Sequence, residues 1–276
     1  MVVNMHVLII NLKNSIDRLV YQEKQLSRMG LHFERVNAVS THDLSEEEYQ
    51  QLGFGWQRPL RKVELACFLS HKKAWELVLK NQEVALILED DAVLASHLPE
   101  LLVQIEEQGF KDVDLVNFEV RSRKKIISKQ PTYTFPVLKT ELFELYQDRT
   151  GAAGYLLYPS GAQKLLARLE HSAPAIADGF IFSCYELRSL QVEPAAIIQE
   201  DQMKAYGLIT TVDFDSTIGR SENYKTEYSS TKEKKKFKKR RIAGQWLMAC
   251  RYLSVFFKAT KRFILLDQKR FNRTQM

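Results

Sequence analysis

Cysteine is scarce: Cys67, Cys184 and Cys250 are the only three in 276 residues, scattered and odd in number. They support no disulfide framework and suggest a reducing compartment. Long apolar runs are also missing. No stretch approaches the ~18 residues that a membrane span needs, and the longest uncharged run in the tail, IAGQWLMAC (242–250), has nine. The opening MVVNMHVLIINLKNS has no basic region ahead of its strand-length apolar run, so no signal peptide is expected. Glycine-rich phosphate loops are lacking as well. With no G-x-G-x-x-G and no P-loop in the body, neither dinucleotide binding nor Walker-type nucleotide binding is signalled. No internal repeat is found.

What is present suits a folded α/β body with an unusual tail. At 45% hydrophobic and 27% charged residues, the chain can bury a substantial core as one large domain or two small ones. Its net charge of +6 conceals an asymmetry. Residues 232–276 hold 15 Lys/Arg against two acids, while residues 1–231 hold 25 against 32. The body is mildly acidic, and the basicity belongs to the tail.

HVLIINL (6–12) reads as a buried strand, followed by a helix with Asn14 as N-cap and Gly30 as its stop. HFERVNAVS (32–40) reads as a second strand, LSEEEYQQLG as a short helix, and 63–81 as a helix with apolar residues at helical spacing. VALIL (84–88) is a third strand, 97–108 a helix and 113–120 a strand. RSRKKIISKQ (121–130) reads as a solvated loop or lid. GAAGYLLYPSGAQKLLARL (151–169) reads as strand, turn and helix, 175–191 as a helix and VEPAAIIQ (192–199) as a final strand. Strands alternating with helices predict a largely parallel sheet.

Chemistry concentrates in ALILEDDAVL (85–94), where a buried-looking strand runs straight into Glu89, Asp90 and Asp91. Two like charges ~5 Å apart repel by roughly 3 kcal/mol at an effective dielectric of about 20. The cluster sits where ligands bind such sheets, beyond the carboxyl end of a strand. Two-residue periodicity sends Glu89 and Asp91 one way and Asp90 the other. Convergent carboxylates suit a hard ion such as Mg²⁺ or Mn²⁺ holding substrate phosphates. The alternative is an acidic turn favoured by the dipole of the next helix.

The neighbouring segments bear on that choice. VELACFLSHKKAWELVL, ALILEDDAVL and GAAGYLLYPSGAQKLL, in this order and spacing, resemble glycosyltransferase family 25, the lipooligosaccharide galactosyltransferases and their relatives. VLIINLKNSIDR resembles that family's first strand and turn, AIADGF a later segment with a single Asp, and the basic tail the C-terminus of its bacterial members. The resemblance covers roughly residues 6–200. It implies an α/β, Rossmann-like fold of GT-A type and an inverting, metal-dependent transfer of galactose from UDP-galactose to a sugar hydroxyl of lipooligosaccharide, with a β-1,4 linkage. UDP-glucose is the competing donor. It further implies that the family's Asp-x-Asp-type site falls on Glu89, Asp90 and Asp91, with Asp91 on the Mn²⁺ or Mg²⁺, Glu89 facing the metal or the ribose, and Asp90 with the nucleotide.

An inverting displacement needs a general base within reach of the acceptor hydroxyl. Asp178, flanked by apolar residues that can raise its pKa, is the candidate, and the competing reading is a helix N-terminal Asp. Glu119, Asp148, Glu200 and Asp201 stand in reserve. Asn11 and Arg18 are candidates to hold the nucleotide at a strand end and helix start, although Arg18 also suits an ordinary helix surface. Gly154, with Gly151, permits close backbone approach to a sugar or simply tight packing. Ser70 and His71 diverge by ~100° on one helix, and Cys67 with His71 makes a poor zinc site. His71 matches the family's Ser-His pair, which implies a supporting role. Tyr155 reads as a sugar-stacking ring or, preferentially, as core.

The chain divides into a body (1–212), a connector (213–231) and a tail (232–276). KEKKKFKKRR (232–241) has eight basic residues in ten, followed by Ile242, Trp246, Ala249, Leu253, Phe256, Phe257 and Phe263 at helical spacing. A basic amphipathic helix reads as an anchor to an anionic membrane surface, expected here at the cytoplasmic face of the bacterial inner membrane. Docking on the body and non-specific nucleic-acid binding are the alternatives, and no recognisable nucleic-acid module is present. Two other classes compete for the whole chain: a metal-dependent phosphoesterase using the same acids, and a non-catalytic membrane or nucleic-acid adaptor.

Overall fold

The run of apolar residues from Val7 to Ile10 is too continuous for a strand with one wet face, and the chain buries all four in a central strand. In the computed structural model, which describes residues 5–209, 228 and 230–272, strand β1 (His6–Asn11), helix α1 (Ile16–Arg28) and β2 (Phe33–Asn37) form a parallel β-α-β unit. Gly30, at a φ of 66°, ends α1 in the left-handed conformation that favours glycine. Helices α2 (Glu46–Leu52) and α3 (Lys62–Asn81) follow. The first is opened by a capping box between Ser45 and Glu48. Strands β3 (Ala85–Glu89) and β4 (Ala92–Leu94) flank the acidic turn, ahead of helix α4 (Leu98–Gln108).

The middle of the chain is richer in strands than its pattern suggests. It contains β5 (Leu115–Asn117), β6 (Glu119–Val120), β7 (Lys125–Ser128), β8 (Tyr133–Phe135), β9 (Thr140–Gln147) and β10 (Gly154–Leu157). Helices α5 (Pro159–Arg168) and α6 (Ala177–Phe182) then lead to β11 (Ser189–Glu193), β12 (Ile197–Gln199) and a 3-10 helix (Glu200–Tyr206). Helix α7 (Thr231–Val255), β13 (Ala259–Arg262) and α8 (Gln268–Asn272) complete the described residues. The main sheet runs β13-β7-β9-β11-β5-β10-β3-β1-β2, with β8 on β9. A small second sheet, β4-β12-β6, continues from the C-terminal ends of β3 and β5.

Several expectations need correction. The Rossmann-like parallel core is present as β2-β1-β3, but the whole sheet is mixed: β10 runs antiparallel between β3 and β5, and β9 antiparallel to β11. The segment 121–130 is not simply a loop. Its Lys125-Ile126-Ile127-Ser128 is a buried strand, because the Lys125 ammonium meets Asp148 at 2.6 Å and both side chains are 1% exposed. The helix expected over 175–191 stops at Phe182, and its C-terminal part becomes β11, where β5 and β9 offer backbone partners on both sides. Helix α1 is capped at Ser15 rather than Asn14.

The tail differs in kind. Its helical periodicity continues past residue 255 in the sequence, yet the helix ends at Val255 and β13 adds to the edge of the main sheet beside β7. Phe237, Val255, Ala259, Ile264 and Phe271 are buried against the body. The Arg262 guanidinium pairs with Glu193, and Arg240 donates to the Phe54 carbonyl at 2.8 Å. The expected connector, 213–231, and the boundary at 212 lie largely outside the described residues.

Candidate active site

Residues Glu89–Asp91 leave the C-terminal end of β3, where the β1–β3 register sets Ile10 opposite Glu89 and brings Asn11 beside Asp90. The turn is braced from α1. Gln22 donates to the carbonyls of Asp90 (3.1 Å) and Ala92 (2.7 Å), and Gln25 accepts from the Leu94 amide at 2.8 Å. These two buried amides supply partners that β4 cannot find on its α1 side, which explains polar residues on the inner face of a helix.

The three carboxylates receive three different environments. Asp90 is turned away from the other two and accepts from Asn11 Nδ2 at 2.7 Å and Arg18 at 2.9 Å. Burial pushes its pKa up, against the pull of Arg18 and Asn11. Asn11 and Arg18, expected to hold the nucleotide, come together on Asp90 as a mutual clamp: each spends a hydrogen bond on that carboxylate.

Glu89 is held at both oxygens. His71 Nε2 donates to Oε1 at 3.1 Å and Gln199 Nε2 donates to Oε2 at 2.8 Å. Behind His71, the Trp75 indole donates to the Tyr155 hydroxyl at 2.8 Å, and that hydroxyl lies 2.9 Å from His71 Nδ1. The indole can only donate. The Glu89 carboxylate can only accept, so Nε2 carries the imidazole proton and Nδ1 accepts from the Tyr155 hydroxyl. Burial opposes the charge on Glu89, but these donors and nearby Arg121 hold its pKa below the usual range. Tyr155 and Trp75 are fully buried, so Tyr155 belongs to the core rather than to a sugar. Cys67, His71 and Glu89 do offer donor atoms within 4.8 Å of one another. His71 already uses both nitrogens, which favours a hydrogen-bonded chain over a metal centre there.

Asp91 has no such support. Its Oδ1 is buried without a hydrogen-bond partner among the described residues. Burial, then Glu89 and Asp90, push its pKa up to about 8. An orphaned, buried carboxylate oxygen two residues from a carboxylate whose charge it feels suits a hard divalent ion by the chemistry of its donors, so Asp91 and Glu89 fit Mn²⁺ or Mg²⁺.

Around this pair lies a second ring of acids. Asp178, in the first turn of α6, accepts from the Gly179 amide at 2.6 Å. Burial, with Asp148 and Glu89 further off, lifts its pKa to about 6. Glu119 accepts from the Ala153 amide at 2.6 Å, its Oε1 is unpartnered, and burial pushes its pKa well up. Asp148 is committed to Lys125 and Asp201 to Arg121 at 2.9 Å, while the Glu200 amide donates to the Asp91 carbonyl at 3.0 Å. Arg121 also reaches Gln199.

The two glycines separate. Gly151 has a φ of 100°, and a Cβ there would stand 2.9 Å from the Glu119 carboxylate. Gly154 does not face open space: a Cβ would stand 2.4 Å from Ile197, so packing requires the glycine. Sequence reading passed over Gln199, Arg121 and Lys125. Nothing local marks Gln199, and the two cations fall in a segment whose charge reads as solvation.

Comparison with known proteins adds the lineage. The family model described as Glycosyltransferase family 25 (LPS biosynthesis protein) matches residues 4–181. The chain is 24% identical over 210 residues to the "Lipooligosaccharide biosynthesis protein lic2B" of Haemophilus influenzae, covering 71% of this chain and 76% of that one. It is 25% identical over 269 residues to the "Procollagen galactosyltransferase 1-B" of Xenopus laevis, covering 87% of this chain and 43% of the relative. It thus spans less than half of that longer relative. Among solved structures, the glycosyltransferase GlyE of Streptococcus pneumoniae TIGR4 is 12% identical, with a TM-score of 0.37 over 68% of this chain and 44% of that one.

Proposed function

The chain belongs to glycosyltransferase family 25, and on that premise we propose that it moves galactose from UDP-galactose, with inversion, onto a sugar hydroxyl of lipooligosaccharide, forming a β-1,4 linkage. The observation that carries the chemistry is the pairing of unsatisfied Asp91 with fixed, ionised Glu89, beside an Asp178 whose pKa lies near 6. A divalent ion bound by Asp91 and Glu89 supplies charge neutralisation for a diphosphate leaving group. Asp178, charged at neutral pH yet more basic than an ordinary carboxylate, takes the proton from the acceptor hydroxyl as that oxygen attacks. Glu119 is fully buried, with its carboxylate against the Ala153 amide and its pKa pushed well up by that burial, and Asp148 is held by Lys125, so neither matches the role as Asp178 does. His71 and Gln199 orient Glu89 and keep it ionised.

The same reading puts the chain at the cytoplasmic face of the inner membrane as a peripheral protein. Among the described residues no helix is long and apolar enough to cross a membrane. The side of α7 that carries Phe237 and Val255 faces the body, the opposite side leaves Ile242, Leu253 and Trp246 (68% exposed) uncovered, and Phe257 (89%) is uncovered just past the helix end. A wet aromatic stripe continuing from a run of lysines and arginines matches an anionic lipid surface, apolar to the acyl boundary and basic to the headgroups.

The deciding measurement is UDP release from a panel of UDP-sugars with a truncated lipooligosaccharide acceptor, with and without Mn²⁺, for the wild type and Asp91→Asn. Metal-dependent release from UDP-galactose, lost in the variant, supports the proposal, and release from UDP-glucose alone reassigns the donor. Phosphate release without any acceptor indicates a phosphoesterase. Silence with every donor leaves the tail as the functional part.

A further inference from the structure

The inner side of α7 is as informative as its outer one. Between α7, β7, β9 and β13 lies a groove of about 370 Å³, within the size range of ligand sites. Met248 and Tyr252 of α7 give it an apolar, partly aromatic wall, while Lys124, Arg149 and Lys261 stand around its rim. All three cations are exposed, and among the described residues none has an ion pair; Lys124 rests only over the Phe263 ring at 5.5 Å. Two of them, Lys124 and Arg149, belong to a body that is net acidic, where the basic side chains Arg18, Arg121 and Lys125 have carboxylate partners. Asp148 lines the groove. An adjoining hollow shares Gln147 and Asp148 with the groove and is lined as well by Ile181 and Phe182 of α6, the helix that carries Asp178, so the groove lies on the side of the body that packs against the proposed base's helix.

A sugar ring presents an apolar C–H face and polar edges. An aromatic and methionine wall suits the first, and unpaired cations suit an anionic substituent on the second. We propose that this groove is the acceptor subsite and that it takes an anionic sugar, one carrying a phosphate or a carboxylate. The role of acceptor subsite rests on the transferase reading; the binding of an anionic sugar does not. One wall comes from the body strands and the other from α7 and β13, so the tail completes the site as well as carrying the outward apolar stripe.

The test is calorimetric titration of the full chain, without donor, with glucose, glucose 6-phosphate and glucuronate at low and moderate salt. At least one anionic sugar should bind tenfold or more tightly than glucose, with the preference falling as salt rises. Whether glucose 6-phosphate or glucuronate wins separates phosphate from carboxylate recognition. The exposed-site double variant Lys124→Glu/Lys261→Glu should lose the preference while melting as the wild type does. Equal affinity for all three sugars, no binding of any, or a preference that survives the double variant overturns the proposal. Anionic preference in a chain that releases no UDP from any donor would remove the transferase reading and keep the anionic-sugar site. UDP release without anionic preference would do the reverse.

Discussion

The acidic turn and the basic tail are opposite in sign, and they treat charge in opposite ways. At the turn, Asp90 and Glu89 are each fixed by two directed donors, and Asp91 is left without one in a place where solvation is poor. Along α7 the lysines stand in water and pair with little. Charge held in a low-dielectric setting is worth several times more per pair than charge in water. The turn can therefore do chemistry on one bound ion, whereas the tail can only sum many weak attractions over a surface.

The sharpest way to break this comparison is to neutralise the strained carboxylate. Asp91→Asn should lower transferase turnover at least ~10³-fold, several kcal/mol of lost charge stabilisation. The same variant should be more stable than the wild type when no metal is present. The folded pKa of about 8 stands above the unfolded value, so the wild type holds a stability contribution at low pH that it loses as pH rises from about 4 towards 8. Denaturant melts of the two proteins should coincide near pH 4 and separate by roughly 5 kcal/mol near pH 8. Equal curves at both pH values would mean that Asp91 is solvated.

Asp178→Asn should cost 10²–10⁴-fold in turnover, the usual worth of a general base. With a pKa of about 6, the wild-type rate should be full above pH 7 and fall tenfold per unit below about pH 6 as the carboxylate takes up its proton. A profile flat down to pH 5 would exclude it. Lys125→Met takes the counter-ion from Asp148 in the interior, leaving it the Arg149 and Thr150 amides as donors, and thermal or denaturant unfolding should register a loss of about 3–5 kcal/mol. The tail should respond most gently. Reversing one exposed lysine, Lys235→Glu, should weaken binding to phosphatidylglycerol vesicles by about tenfold, given ~1 kcal/mol for each basic residue near the surface. Trp246→Glu should weaken it further without changing the melting temperature. Cosedimentation with neutral phosphatidylcholine vesicles as the control reads both.

Legibility followed how local each determinant was. Strand β1, helix α3 and the acidic turn were readable, since burial on both faces, apolar spacing and a carboxylate run are properties of neighbouring residues. Strand β7 was not, because Lys125 looks solvated until Asp148 is known to lie beside it, 23 positions further along. Asn11 and Arg18 were readable as polar residues at a strand end and a helix start, but their pairing with Asp90, more than seventy positions away, was not. Gln199, more than a hundred residues from Glu89, carried no signal at all.

The sequence by itself determined the alternating elements, the family, the position of the three carboxylates at a strand end and the charge divide between body and tail. These depend on composition and on spacing within one element. The tertiary structure alone decided which carboxylate is paired and which is left bare. It decided too that β10 enters the sheet antiparallel, and that α7 turns its apolar stripe outward while closing a groove with its other side. Each of these depends on which distant side chain or backbone arrives at hydrogen-bonding distance, because a charge or an edge strand is stabilised by the partner it meets in space.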